Sequence, residues 1–515
     1  MAADATTTAP AAPQPEPDGT AKAGAYVHRP LVPSADVVAL GAALLAYVMV
    51  HGGLFGPEVA PAVQAGVIVG IVAAFSATAG WRAAVAAGAA GVIGGLLLPV
   101  ASGGSTLVAT ATVAVVAALV AIGARWAVDR GAIRKQLVVM LGMAIIIGNL
   151  WLSTATLDSQ QVVIEGQTMF QFMVSKPQPD VLQPDQVFYK NIVQKMRAGT
   201  NYYDAWRQAY HENAVWGRDP SSAISVRQPL LLSVLAALPG DGRSPIWLMT
   251  LVASIAVILS MAMVRGLHEH AIALVSAAAV ASFALNFTTL PFVFGFEPWG
   301  GLLAVIAVSL FAQSHGGKPE PMRRRLLIAS AVIAVLAVAV RELMLFLPLA
   351  GIVAAFFAPK PQRRFDLTVW IGALVTSAVA LGAHVLAAQR IISPGPGLEQ
   401  WLGRGSIDNL TMGLVNGAKY ISTSYLVLVA LAFIGIGGAL LARDRQYRAF
   451  LIVAIFVPLV GFLFAYNGAI DQATGKVINY WGPVITPVVY AMVPAILLAF
   501  TPKREAGPVP AGPKE

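Results

Sequence analysis

Fourteen apolar segments recur between residues 36 and 500, each long enough, or nearly so, to cross about 30 Å of hydrocarbon. A backbone in that solvent must satisfy its own polar groups, which leaves helices as the default for such segments. The spans read as 36–54, 61–79, 83–100, 107–124, 136–154, 246–264, 270–286, 298–312, 326–340, 343–358, 367–389, 424–441, 449–466 and 480–500. Asp, Glu, Lys and Arg make up only 11% of the 515 residues, less than half the ~25% usual in soluble proteins, so no water-facing shell could enclose this much apolar sequence. The expected fold class is all-α, a polytopic membrane protein with about 14 transmembrane helices.

Charge sets the expected orientation. With a cytoplasmic N-terminus, the short inner connections hold Arg82; Arg125, Arg130, Arg134 and Lys135; Arg265; Lys318 and Arg323 to Arg325; Lys360, Arg363 and Arg364; and Arg443, Arg445 and Arg448. The acids among them are Asp129, Glu269, Glu320, Asp366 and Asp444, whereas the outer regions are nearly neutral. This positive-inside bias fits every alternation and places both termini in the cytoplasm of a multi-pass protein of the inner (plasma) membrane. The net charge of +9 is then explained by anionic lipid, and no nucleic acid is implied.

The chain divides accordingly. Residues 1–33 are Ala, Pro and Thr rich and read as a disordered cytoplasmic tail, as does 501–515. Residues 34–127 form a four-helix membrane extension, and 136–500 form the main membrane domain, with outer stretches 155–245, 390–423 and 467–479. The segment 228–240 is too short to span and reads as an interfacial or re-entrant piece. The 390–423 stretch, with Pro394 to Gly397 followed by Trp401 and Arg404, reads equally as a lid or as a plain connector.

Several chemistries are excluded. Cysteine is absent, which removes disulfides, thiolate nucleophiles and Cys-ligated metal. No phosphate-cradling loop or dinucleotide fingerprint is present. The spans are almost free of Asp, Glu and Lys, whereas a carrier normally keeps ionisable groups at midplane. The functional surface is expected in the outer stretches, where chemistry calls for a lipid-delivered donor.

The densest stretch there runs from Pro184 to Tyr210. Phe188, Ile192 and Met196 recur at helical spacing with Tyr189 and Val193 beside them, Lys190 and Arg197 fall on the far side, and Gly199 ends the pattern. This predicts an amphipathic helix at a membrane surface, followed by an aromatic group, Tyr202, Tyr203 and Trp206, suited to a headgroup layer or a sugar ring. Asp185 at the helix start also reads as an N-cap.

Asp185-Gln186 with Tyr189, Met196 and Gly199 resembles the acidic loop motif of the GT-C integral membrane glycosyltransferases. Gln228-Pro229-Leu230 resembles their Pro-Pro-Leu stretch, and the Arg265 to His270 turn their short basic loop. Arg341-Glu342 and Asn479-Tyr480-Trp481 resemble motifs of bacterial members, and the likeness covers about residues 136–500. It implies a GT-C-like fold and inverting transfer of a sugar from a polyprenyl-phosphate donor to a lipid, glycan or protein acceptor. Two features depart from the pattern. Gln186 stands where a second acid is usual, which weakens any site of paired carboxylates for a metal, so a divalent cation is compatible but not specified. The four spans 36–124 precede the similar region.

The roles follow from the chemistry that the resemblance implies. Asp185 would take the acceptor's proton, with Asp204 as the substitute base. Arg227, Arg341 and Lys190 would hold the donor phosphate, Arg being favoured for its planar fork. Arg341 with Glu342 reads equally as a structural ion pair, and Glu297 reads as a helix cap or an acceptor contact. Tyr189, Tyr202, Tyr203, Glu297, Glu342 and Tyr480 complete the expected substrate surface. His211-Glu212 reads as loop surface rather than a metal site, and Asp158, Glu165 and Asp180 carry no pattern. A transporter or flippase of lipid-linked glycan and a noncatalytic membrane scaffold are the competing classes.

Overall fold

The computed structural model describes scattered positions between 122 and 168, then 185–212, 226–239, 243–264, 270–287, 293–315, 317–391, 407–416, 425–464, 470–471, 476–477 and 481–500. The tails, most of the 34–127 extension and most of 155–184 lie outside the described residues, and the four expected spans 36–124 fall there almost entirely. The described chain is mostly helical. Two short antiparallel pairs are also described, β1 (Val163–Ile164) with β2 (Gln167–Thr168) and β3 (Ile470–Asp471) with β4 (Lys476–Val477).

Helices α1 (Asp185–Arg197), α2 (Tyr202–Glu212) and α3 (Leu230–Ala237) precede the bundle. The bundle then runs through α4 (Arg243–Ser260), α5 (His270–Phe287), α6 (Phe296–Ser314), α7 (Glu320–Val340), α8 (Phe346–Phe356), α9 (Lys360–Ala388), α10 (Ile407–Asn416), α11 (Tyr425–Leu440) and α12 (Arg445–Phe464). Among the described residues, four stretches, Ser244–Val264, Phe296–Ser314, Lys360–Ala388 and Arg445–Phe464, are long and apolar enough to cross a membrane. Apolar side chains remain on the outside of such helices. Ile371, Val375, Val379 and Leu386 line one exposed face of α9 at helical spacing, as a lipid-facing stripe requires.

Long-range side-chain contacts show that successive helices run up and down. The end of α7, the start of α6 and the end of α9 meet at one pole, through Arg341, Glu297 and His384. At the other pole Asp366 near the start of α9 receives Arg323 of α7 at 2.9 and 3.2 Å and Gln446 of α12 at 2.9 Å. Tyr447 of α12 donates to the Met263 carbonyl in the turn after α4 at 2.8 Å. Arg323 and Asp366, read from sequence as loop charges, are instead buried inside helices. Between the poles, Phe311 stacks on Phe450 at 4.2 Å, and Trp370 packs against both rings. Gly351 of α8 leaves the space that the Trp370 indole fills.

Two sequence expectations need adjustment. The 136–154 span is described only in part, but Trp151 stacks on Trp247 at 5.3 Å and donates to Ser254, which fastens it to α4. The 480–500 span is not one α-helix. It consists of a 3₁₀ turn (Gly482–Val484), α13 (Thr486–Ala491) and a 3₁₀ stretch (Val493–Phe500). Pro483, Pro487 and Pro494 each lack a donor and crowd the preceding turn, so α-helical bonding cannot run through. The interrupted segment lies deep: Gly301 of α6 faces the Pro483 carbonyl, Gly435 and Gly438 of α11 face those of Val489 and Met492, and Ser276 of α5 donates to that of Ala491 at 2.6 Å.

Candidate functional site

The site is built on a cap made by α1, α2 and α3. Phe188, Tyr189, Ile192 and Val193 are buried as the periodicity predicts, and Phe188 meets Trp206 of α2 edge to face. Gly199, at φ 95°, ends α1. Its N–H reaches the Met196 carbonyl and that of Thr200 reaches Lys195, the paired bonds of a left-handed glycine cap. Arg197 then donates to the carbonyls of Leu235 and Leu238 at the end of α3, where a cation also complements the helix dipole. Lys195 pairs with Glu212 at 2.7 Å and ties α1 to α2.

Lys190 corrects the sequence reading. It does not face away with Arg197 but is buried, because α1 is covered by protein on more than its apolar stripe. Burial, with repulsion from Arg197 second, lowers its amine from 10.5 to about 7.

The central segment of the site is Val226-Arg227-Gln228, irregular backbone held from three directions. Tyr202 donates its hydroxyl to the Arg227 carbonyl at 2.5 Å, and burial raises the pKa of that phenol well above its ordinary value, which keeps it a donor. Gln228 donates to the Val338 carbonyl of α7 at 2.7 Å. His384 of α9 lies 2.9 Å from the Val226 carbonyl through Nε2 and 3.0 Å from the Tyr203 hydroxyl through Nδ1. A carbonyl only accepts, so Nε2 carries the proton and Nδ1 accepts from Tyr203.

On this frame sit four charges. Helix α7 stops at Val340, Arg341 turns extended, and a 3₁₀ turn (Glu342–Leu345) follows, so the two neighbouring side chains both serve one cluster. Arg227 Nη1 donates to Glu342 Oε1 at 2.9 Å, and Arg341 Nη1 contacts the same oxygen. Arg341 Nε pairs with Glu297 Oε1 at 3.0 Å from the first turn of α6. The side chains are 1% exposed for Arg341, 10% for Arg227, 12% for Glu297 and 20% for Glu342, so the arginines are the more deeply buried partners. Tyr189 of α1 packs on Phe296, the residue before Glu297, with centroids 4.8 Å apart.

The structure therefore brings together Tyr189, Tyr202, Tyr203, Arg227, Glu297, Arg341 and Glu342 from the sequence-predicted set. Asp185 is the first residue of α1, one turn before Tyr189, and its side chain lies outside the described ones. Asp204 takes another course. It pairs with Arg207 at 2.8 Å on the outer side of α2, while its N–H donates to Asn201, the helix cap. Glu212 is engaged with Lys195, Tyr480 lies outside the described residues, and among the described residues no group of three or more His, Asp or Glu is placed to hold a metal ion. Sequence reasoning missed His384, a lone histidine near the end of a long apolar run. Its polarity in that setting was the available signal. Glu297 does not close the α6 terminus by a side-chain hydrogen bond; its partner is Arg341.

Chemically, the cluster is two desolvated guanidiniums with two carboxylates at the rim of a helical bundle, an arrangement able to exchange an anion or orient a polar ligand. The chain matches no protein-family model, no curated protein and no solved structure.

Proposed function

We propose that the protein is a membrane glycosyltransferase of GT-C type that moves a sugar from a polyprenyl-phosphate donor to a lipid, glycan or protein acceptor on the outer face. The observation that carries the reading is the meeting of Arg227 and Arg341 on one carboxylate, Glu342, although Arg227 and Glu342 are 115 positions apart. The charge bias of the sequence assigns that pole to the outside. Donor phosphate would meet the two forks, Tyr202 and Tyr203 would border the sugar, and Asp185 would take the acceptor proton. Departure of the phosphate is assisted where the leaving charge is already paired.

The test supplies radiolabelled polyprenyl-phosphate sugars to the purified protein in lipid, with acceptors varied. Transfer that depends on Arg227 supports the proposal. Movement of a lipid-linked glycan across vesicles without transfer would replace it with the transporter reading. That second reading is favoured by the proline-interrupted 482–500 segment, since broken spans are the usual binding elements of carriers.

A further inference from the structure

We propose that Glu342 is a resident counterion which an incoming phosphate group displaces from Arg227 and Arg341, so that the site is held shut by its own carboxylate until a phosphate-bearing ligand exchanges with it. The inference deepens the proposed function and rests on it only for the lipid-borne source of the phosphate.

Four observations point this way. Both guanidiniums direct Nη1 to the same oxygen of Glu342, a one-oxygen contact that forgoes the two-pronged pairing a phosphate can accept from an arginine. Glu342 Oε2 is buried and has no hydrogen-bond partner among the described residues, so half of the carboxylate is not used in the closed arrangement. Glu342 is the most exposed side chain of the cluster, at 20% against 1% for Arg341 and 10% for Arg227, so it is the member nearest the surface. The arginines are also anchored independently of Glu342. Glu297 holds Arg341 through Nε, and Tyr202, His384 and Gln228 fix the backbone around Arg227.

The charge balance makes the exchange obligatory rather than optional. Glu297 alone would leave one carboxylate for two buried guanidiniums and none on Arg227 Nη1, so Glu342 leaves as another anion arrives. Its side chain belongs to the first residue of a 3₁₀ turn, and the proposed exchange is a side-chain rotation that takes the carboxylate off the arginines. No bond to carbon or phosphorus is made or broken in this step.

The experiment measures binding of inorganic pyrophosphate, and separately of undecaprenyl phosphate, to the full-length protein in lipid nanodiscs, with thermal unfolding followed in parallel. Glu342→Gln is expected to lower the melting temperature without anion and to bind pyrophosphate at least roughly tenfold more tightly than wild type, the low end of what a close charge pair contributes. Its ligand-induced rise in melting temperature should exceed that of wild type. A purely structural Glu342 would give the same initial loss with equal or weaker pyrophosphate binding, which overturns the proposal. Should Glu342→Gln fail to fold, infrared difference spectra of wild type decide. Pyrophosphate must shift an ionised carboxylate band, and an unchanged spectrum at saturation overturns the exchange. The two readings separate cleanly. Tighter pyrophosphate binding in Glu342→Gln with no preference for undecaprenyl phosphate keeps the exchange and removes the lipid donor. Sugar transfer with no tightening keeps the donor and removes the exchange.

Discussion

Replacing Asp366 by Asn tests the energetics of the pole opposite the charged site. Asp366 is fully buried, takes both arms of Arg323 at 2.9 and 3.2 Å, and receives Gln446 at 2.9 Å, so three helices converge on one carboxylate. Asn keeps the volume but removes the charge, and its amide turns a donor toward a guanidinium that has only donors. Stranding one partner of a buried ion pair costs about 3–5 kcal/mol. Glu320 also holds Arg323, at 2.9 Å, but at 39% exposure its compensation is weak and partial, which places the expected loss near the lower end, about 3 kcal/mol. That corresponds to roughly a hundredfold shift in the folding equilibrium. Reversible unfolding in mixed micelles should show it, and the Asp366→Leu, Arg323→Met double variant should recover most of the loss because both desolvated charges go together. An Asp366→Asn protein within about 0.5 kcal/mol of wild type, the range of ordinary surface substitutions, would refute the reasoning.

Lys190, lowered from 10.5 to about 7 by burial, binds its proton more weakly folded than unfolded, so stability should be lowest and flat below about pH 7 and rise between about 7 and 10.5. Melting temperature against pH checks this, and an identical slope in Lys190→Met would remove the assignment. Gly351→Ala puts a methyl against the buried Trp370 ring and should cost roughly 1–3 kcal/mol by overpacking, partly regained on adding Trp370→Phe. Arg227→Lys keeps the charge without the fork and should lower transfer, Arg227→Ala more so; wild-type turnover in Arg227→Ala at subsaturating donor would eliminate the phosphate role. Asp185→Asn retains cap ability yet should slow transfer by roughly 10²-fold or more, with Asp204→Asn as the milder control; a rate within twofold of wild type would sink the base assignment.

Local features were legible in the sequence. Apolar spacing gave 298–312 against the observed Phe296–Ser314 and 424–441 against Tyr425–Leu440, and a lone glycine marked the end of α1. The short 228–240 piece reads as unable to span, and it forms an eight-residue helix. What stayed hidden was set by partners far along the chain. Helical spacing placed Lys190 away from the apolar stripe, because it cannot tell how many sides of a helix other elements cover. Arg323 and Asp366 looked like loop charges because charge counting carries no distance. The break in 480–500 was written in its three prolines, but mean hydropathy treats proline as merely another residue and passes over it. Arg341 with Glu342 has two readings from sequence, and only Arg227, from the segment before α3, and Glu297, from α6, show that the pair belongs to a larger cluster.

The interrupted segment 482–500 bears on the order in which the bundle can be assembled. A segment with three prolines cannot hold a helix of its own while it waits in the bilayer, and its exposed carbonyls would find no water there. The notches that receive it, at Gly301, Gly435 and Gly438, are synthesised earlier and stand open until it emerges. Insertion and docking of this segment are thus one event, with the earlier helices serving as the template on which the last backbone takes its shape.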